Sequence, residues 1–97
     1  MLTSKRRSAL SALASRLPVL MQIGKNGPTE ALSSQLKQLL DQHELVKVKF
    51  VDFKDDKTTI AGDLAAATDS DLVRVIGNTA VFFRQNPNPE KRHPEFL

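Results

Sequence analysis

Ile23-Gly24-Lys25-Asn26-Gly27-Pro28-Thr29-Glu30 is the stretch that decides how this chain is read. An apolar run, residues 19–23, leads into it, and an amphipathic run, residues 29–42, leads out. Two glycines three apart, with a lysine and an asparagine between them, predict a strand, a tight turn and a helix. Glycine reaches positive φ without a Cβ penalty and lets another backbone approach closely. Thr29 is placed to cap the helix, and Pro28 suits its entrance. The first N–H groups of such a helix lack intrahelical partners and favour an anion. Lys25 adds a mobile positive charge. The stretch reads as a seat for the phosphates of a nucleic-acid backbone. On pattern alone, Gly-x-x-Gly between strand and helix is more often a plain turn. It is neither a nucleotide P-loop nor a dinucleotide fingerprint, because both spacings are absent.

Charge distribution favours the phosphate reading. Residues 1–54 carry nine Lys or Arg against four Asp or Glu, a net of +5, while residues 55–97 carry five against seven, a net of −2. The positive excess lies in the half that holds the glycine loop, which suits a local polyanion site. With 97 residues, one domain is expected, and 40% hydrophobic residues can build one small core. The absence of Cys excludes disulfides, a thiol nucleophile and thiolate metal sites. Lys5-Arg6-Arg7 followed by an Ala/Leu/Ser pattern argues against a signal peptide or membrane span, so a cytoplasmic protein is expected.

Working outward, Thr3 or Ser4 caps a first helix expected to reach about Leu17, with Leu10, Leu13, Ala14 and Leu17 on one side. Lys5, Arg6 and Arg7 fall in its first turn, where cations oppose the helix dipole and hint at an external anion. Pro18 ends it. The helix after the loop turns Leu32, Leu36, Leu39 and Leu40 inward. A second strand spans residues 45–53. Val46, Val48 and Phe50 face one way, and Leu45, Lys47, Lys49 and Val51 the other. A third helix runs from about residue 55 or 58 to 67, weakened at Gly62 by roughly 1 kcal/mol relative to Ala. Strands at residues 72–76 and 79–84 flank a two-residue hairpin turn, Gly77-Asn78. Arg74 and Arg84 are expected to reach solvent and to share a face with Lys47 and Lys49. Residues 85–97, with three prolines and few apolar residues, predict a flexible tail beyond a domain of residues 1–84.

The order is α-β-α-β-α-β-β: an α/β fold with a four-stranded mixed sheet. Helical crossovers make the first three strands parallel and the hairpin makes the fourth antiparallel. The helices are expected to cover one face of the sheet.

With this order and loop in hand, the chain resembles the CRM domain family (chloroplast RNA splicing and ribosome maturation), in particular its stand-alone bacterial YhbY-like RNA-binding members. The resemblance rests on Leu2-Thr3-Ser4-Lys5, on Gln22-Ile23-Gly24-Lys25-Asn26-Gly27 with Thr29-Glu30, and on His43-Glu44-Leu45-Val46-Lys47-Val48-Lys49. Val75-Ile76-Gly77-Asn78-Thr79-Ala80-Val81 and Arg84 complete it. It implies a Gly-x-x-Gly loop used as in KH domains, at Gly24, Lys25, Asn26 and Gly27. It also implies a basic cluster at Lys5, Arg6 and Arg7, and association with ribosomal RNA in the precursor of the large ribosomal subunit. Pro28 and Ser8-Ala9-Leu10-Ser11 depart from the family pattern.

The first functional expectation is an RNA-binding protein assisting ribosome assembly. The loop with Thr29 clamps phosphates, and Lys5, Arg6, Arg7, Lys47, Lys49 and Arg84 extend the track. With no Trp or Tyr, sequence specificity is expected to be modest. The alternative is an adaptor that docks on a ribosomal protein or assembly factor through its sheet face. A monomer without cofactor is expected. Catalysis is not, since His43 and His93 stand apart and Asp52, Asp55 and Asp56 read as a solvated connection. No residue spacing suggests a metal site.

Overall fold

A computed structural model describes residues 2–96. The elements are helix α1 (Ser4–Ala14), strand β1 (Val19–Ile23), helix α2 (Glu30–His43), strand β2 (Leu45–Phe50), helix α3 (Lys57–Ala67), and strands β3 (Asp71–Ile76) and β4 (Thr79–Phe83). Sequence and structure agree on their order and type. The helix starts are built from side chains: Thr3 Oγ1 accepts from the Arg6 N–H at 3.1 Å, and Thr29 Oγ1 accepts from the Leu32 N–H at 3.1 Å. Each satisfies one of the N–H groups left over at a helix start.

The sheet order is β1-β2-β4-β3. β1 and β2 are parallel, and β4 runs antiparallel to both β2 and β3, so the first three strands share one direction as predicted. The hairpin inserts β4 between β2 and β3. Gly77 takes φ +56° and is the one left-handed residue of that turn.

Helices cover both faces of the sheet, not one. Strand alternation explains this. Val46, Val48, Phe50 and Phe82 point to one side and form a core with Leu36 and Leu40 of α2 and Ile60 and Leu64 of α3. Leu45, Val81 and Phe83 point to the other side, where α1 packs on them through Leu10 and Ala14. Phe82 and Phe83 are adjacent, and both are buried, one in each core.

Two boundaries differ clearly from the sequence reading. α1 ends at Ala14 instead of about Leu17, although Leu17 still packs on its core. β2 ends at Phe50, because the Val51 and Asp52 N–H groups both turn to the carbonyl of Ile23, at 2.9 and 3.1 Å. A short 3-10 turn, Lys54–Asp56, then leads into α3.

Residues 85–96, expected as a flexible tail, fold back on the domain. Buried Glu44, at φ +62°, ends α2. Its carboxylate accepts from the N–H groups of Asn86 and His93, each at 2.6 Å. Phe96 closes the α1-side core, 5% exposed and edge-on to Phe83.

Candidate nucleic-acid interface

The glycine loop is a closed turn at the end of edge strand β1. The Gly27 N–H donates to the carbonyl of Gly24 at 3.0 Å, which leaves Lys25 and Asn26 exposed at the corner. Gly27 is at φ +65°, and a Cβ there would lie 3.0 and 3.1 Å from two ring carbons of Phe53. Glycine is therefore favoured at 27 by the left-handed backbone, and a Cβ there would also make the Phe53 ring shift. Gly24 differs: its missing Cβ faces open space. Thr29 follows as the N-cap of α2, with Glu30 in the first turn.

Beneath the loop lies a cleft of about 270 Å³. Its walls are the loop, Thr29, Gln22 of β1, and Ala31, Leu32 and Gln35 of α2. The sequence reading missed Gln22 and Gln35. Nothing local marks them, because they lie on different elements, edge strand β1 and helix α2, and share only the border of this cleft.

The α1 side of the sheet is half covered. Gln22, Lys49, Thr79 and Ile76 form one cross-strand row, and Val19, Lys47, Val81 and Arg74 form the next. α1 covers the end of this face near Leu45 and Phe83. It leaves a groove lined by Ser11, Ala14, Ser15, Lys47, Ile76, Thr79 and Val81. Lys49 is exposed, whereas Lys47 is half-buried and donates its Nζ to the carbonyl of Leu17 at 3.1 Å. Arg74 lies across the sheet from Lys47 and reaches Ser11 Oγ at 3.4 Å. With Arg7, Ser4 and Ser8 it lines a further shallow depression. Gln22 belongs to both the row and the loop cleft, so the open strip runs from the glycine loop toward the start of α1.

The structure divides the predicted basic residues. Lys25, Lys49, Lys5 and Arg7 are exposed, and Arg74 sits with Lys47 as expected. Arg6 is turned inward: it stands over the Phe83 ring at 5.3 Å and donates to the Phe96 carbonyl. Arg84 does not share the face of Lys47 and Lys49. It leaves β4 toward α2 and donates to the carbonyls of Thr68 at 2.9 Å and Lys37 at 3.2 Å, and it pairs with Asp41. Among the described residues, the ion pairs are Arg84–Asp41 and His93–Glu95. Lys25, Lys47, Lys49, Arg7 and Arg74 therefore have no carboxylate partner there. The described residues contain no group of three or more potential metal ligands, and no helix long and apolar enough to cross a membrane.

Fold and loop together define a class: a small α/β module built on a strand–Gly-x-x-Gly–helix unit at the edge of a mixed sheet. The chain belongs to the CRS1 / YhbY (CRM) domain family, whose model matches residues 2–84. It is 34% identical over 91 residues to a Pseudomonas aeruginosa protein named a probable RNA-binding protein, covering 93% of this chain and 88% of the relative. It is 33% identical over 87 residues to a Bacillus subtilis protein of the same description, covering 89% and 91%. A solution structure from Staphylococcus aureus, described as a candidate RNA-binding protein, superposes with a TM-score of 0.81 at 36% identity, covering 96% of this chain and 98% of the other.

Proposed function

We propose that this protein binds RNA through the Gly-x-x-Gly loop and the open strip of its sheet, and that it acts on the precursor of the large ribosomal subunit during assembly. The observation that carries the reading is the placement of Lys49, Lys47 and Arg74 on the open part of the sheet face, next to a turn that holds Lys25 and opens on a helix start. Surface cations are ordinarily interspersed with acids. A row of cations beside free helix N–H groups suits a chain of phosphates. Gly24, Lys25, Asn26, Gly27 and Thr29 hold the phosphates, with the open space over Gly24 taking the approaching backbone. Lys49, Lys47, Arg74, Arg7 and Lys5 extend the track. Arg6 and Arg84 hold the fold together instead. The RNA-binding descriptions of the relatives support the ligand class. The ribosomal role rests on the family resemblance.

One observation favours the adaptor reading. Ile76 is 51% and Val19 38% exposed on the same face of the sheet, as a protein-docking patch would be. The two readings separate by salt. Phosphate contacts release counterions, so each contributes about 0.7 to the slope of log affinity against log salt for a single strand. An apolar patch contributes almost nothing. Binding of large-subunit ribosomal RNA fragments across a salt series, parent against Lys25→Asp with Asn26→Asp, tests the proposal. Weaker binding and a slope reduced by about one contact are expected of the folded variant. Parent-like binding by that variant refutes the loop clamp, and weak salt-independent binding by both chains favours the adaptor.

A further inference from the structure

We propose that the cleft beneath the glycine loop seats one base of the bound RNA, and that the side-chain amides of Gln22 and Gln35 read its edges, with adenine preferred. This rests on the RNA reading of the loop and adds to it the source of sequence preference. The cleft shares its rim with the phosphate seat, since Gly24, Lys25, Asn26 and Gly27 line it too. A nucleotide whose phosphate lies on the loop thus has its base within reach of the cleft. At about 270 Å³ it is smaller than the roughly 300–1,000 Å³ of sites for drug-sized ligands. One planar heterocycle suits that space. Ala31 and Leu32 give it an apolar wall for the flat face of a ring, and Gln22 and Gln35 enter from different elements, β1 and α2. Both glutamines are exposed. Neither amide is engaged in a hydrogen bond among the described residues, whereas Asn86 and Asn88, the asparagines of the C-terminal segment, both are.

Each amide offers a donor and an acceptor side by side. Adenine matches two such groups at once. Its Hoogsteen edge pairs N7 with one hydrogen of the N6 amino group, and its Watson–Crick edge pairs N1 with the other. Cytosine has a single such edge. The two donor–acceptor pairs of uracil share one N–H; the Hoogsteen edge of guanine has acceptors only, and its second pair, N3 with N2–H, lies on the edge next to the ribose. With no Trp or Tyr in the chain to stack on bases indiscriminately, edge reading is the route to preference that this surface provides.

The test uses uridine oligomers with a single adenosine, cytidine or guanosine substitution, titrated by fluorescence anisotropy against the parent, Gln22→Ala with Gln35→Ala, and Lys25→Asp with Asn26→Asp. Both glutamines are exposed, so the fold should survive, which circular dichroism checks. The parent is expected to prefer the adenosine oligomer by about fivefold or more, the discrimination of one bidentate contact. The glutamine variant should lose that gap and bind the adenosine-containing and all-uridine oligomers alike. The loop variant should weaken on every oligomer alike. No adenosine preference in the parent, or a preference that survives in the glutamine variant, overturns the inference and leaves the phosphate clamp standing. If the parent binds none of the oligomers, the RNA reading and this inference fall together.

Discussion

The two faces of the sheet are covered differently, and edge strand β1 contributes to both. Toward α2 and α3 the face is sealed: Ile23, Val46, Val48, Phe50 and Phe82 are all inaccessible to water. Toward α1 it is sealed only where Leu10, Phe83 and Phe96 meet. The rest of that face carries Gln22, Lys49, Thr79 and Ile76 in one row, in the open. A sheet buried on both sides would be more stable. Leaving half of one side bare costs apolar burial, and that half carries Lys49, Lys47 and Arg74. Stability is concentrated on one face and the candidate binding surface on the other, so the two should be separable by substitution.

The largest expected effect is on the sealed face. Phe82→Ala should cost about 3–5 kcal/mol, because a fully buried ring leaves a cavity that a small core cannot collapse. Urea unfolding followed by circular dichroism measures it, since the chain has no Trp or Tyr for fluorescence. Whatever fraction stays folded should bind RNA with the parental salt slope. A folded Phe82→Ala protein with a reduced slope would break the division between the faces.

Next come the two strand arginines, one on each side. Arg84 holds two backbone carbonyls and Asp41, tying the α2 end to the turn after α3. Arg84→Ala should destabilise by about 1.5–3 kcal/mol, the range for hydrogen bonds to a charged group, and leave the salt slope unchanged. Arg74→Ala, which gives up one long contact to Ser11, should do the reverse: little loss of stability and a slope lower by about 0.7. Interchanged results in denaturation and binding would reverse the assignment of the two faces.

The two glycines of the loop give a smaller and more local contrast. Gly27→Ala meets both a left-handed backbone and the Phe53 ring. It should cost roughly 1–2 kcal/mol from the backbone alone, plus the displacement of the ring. Gly24→Ala should stay within about 0.5 kcal/mol, since nothing in the protein opposes it. In a Phe53→Ala background the Gly27→Ala penalty should shrink toward the backbone part, which a double-mutant cycle reads directly. An unchanged penalty would remove the ring from the explanation.

The residues show why some of this was legible in the sequence and some was not. Thr3 and Thr29 announce helix starts because capping is local chemistry. Val46, Val48 and Phe50 announce a buried face because alternation is local geometry. The place of α1 was not legible, because its short apolar stripe fits either face. What assigns it is the need of Leu45, Val81 and Phe83 for cover on the second side. The docked C-terminal segment was hidden for a related reason. Its anchor is a carboxylate, Glu44, more than 40 residues upstream of the N–H groups it holds, and its one buried aromatic, Phe96, follows a proline-rich, mostly polar run. Arg84 looked like a solvent-facing cation because its oxygens come from Thr68, Lys37 and Asp41, far apart in sequence. In the candidate site the glycine loop was legible as a unit. That Gln22 and Gln35 line one cleft was not, since they come from edge strand β1 and helix α2.

The smallest expected effect tests the junction between stability and binding. Glu30 is exposed in the first turn of α2, immediately after the cap. A carboxylate there interacts favourably with the helix dipole, by about 0.3–1 kcal/mol for an exposed group. It also stands beside the helix start that the phosphate reading assigns to RNA, where it repels that same anion. Glu30→Gln keeps the size and removes the charge. Stability should fall by a few tenths of a kcal/mol, while RNA affinity at low salt should rise, and the gain should fade as added salt screens the repulsion. If affinity falls together with stability, the helix start is not where the phosphates lie, and the clamp must be sought among the strip residues Lys49, Arg74 and Arg7 instead.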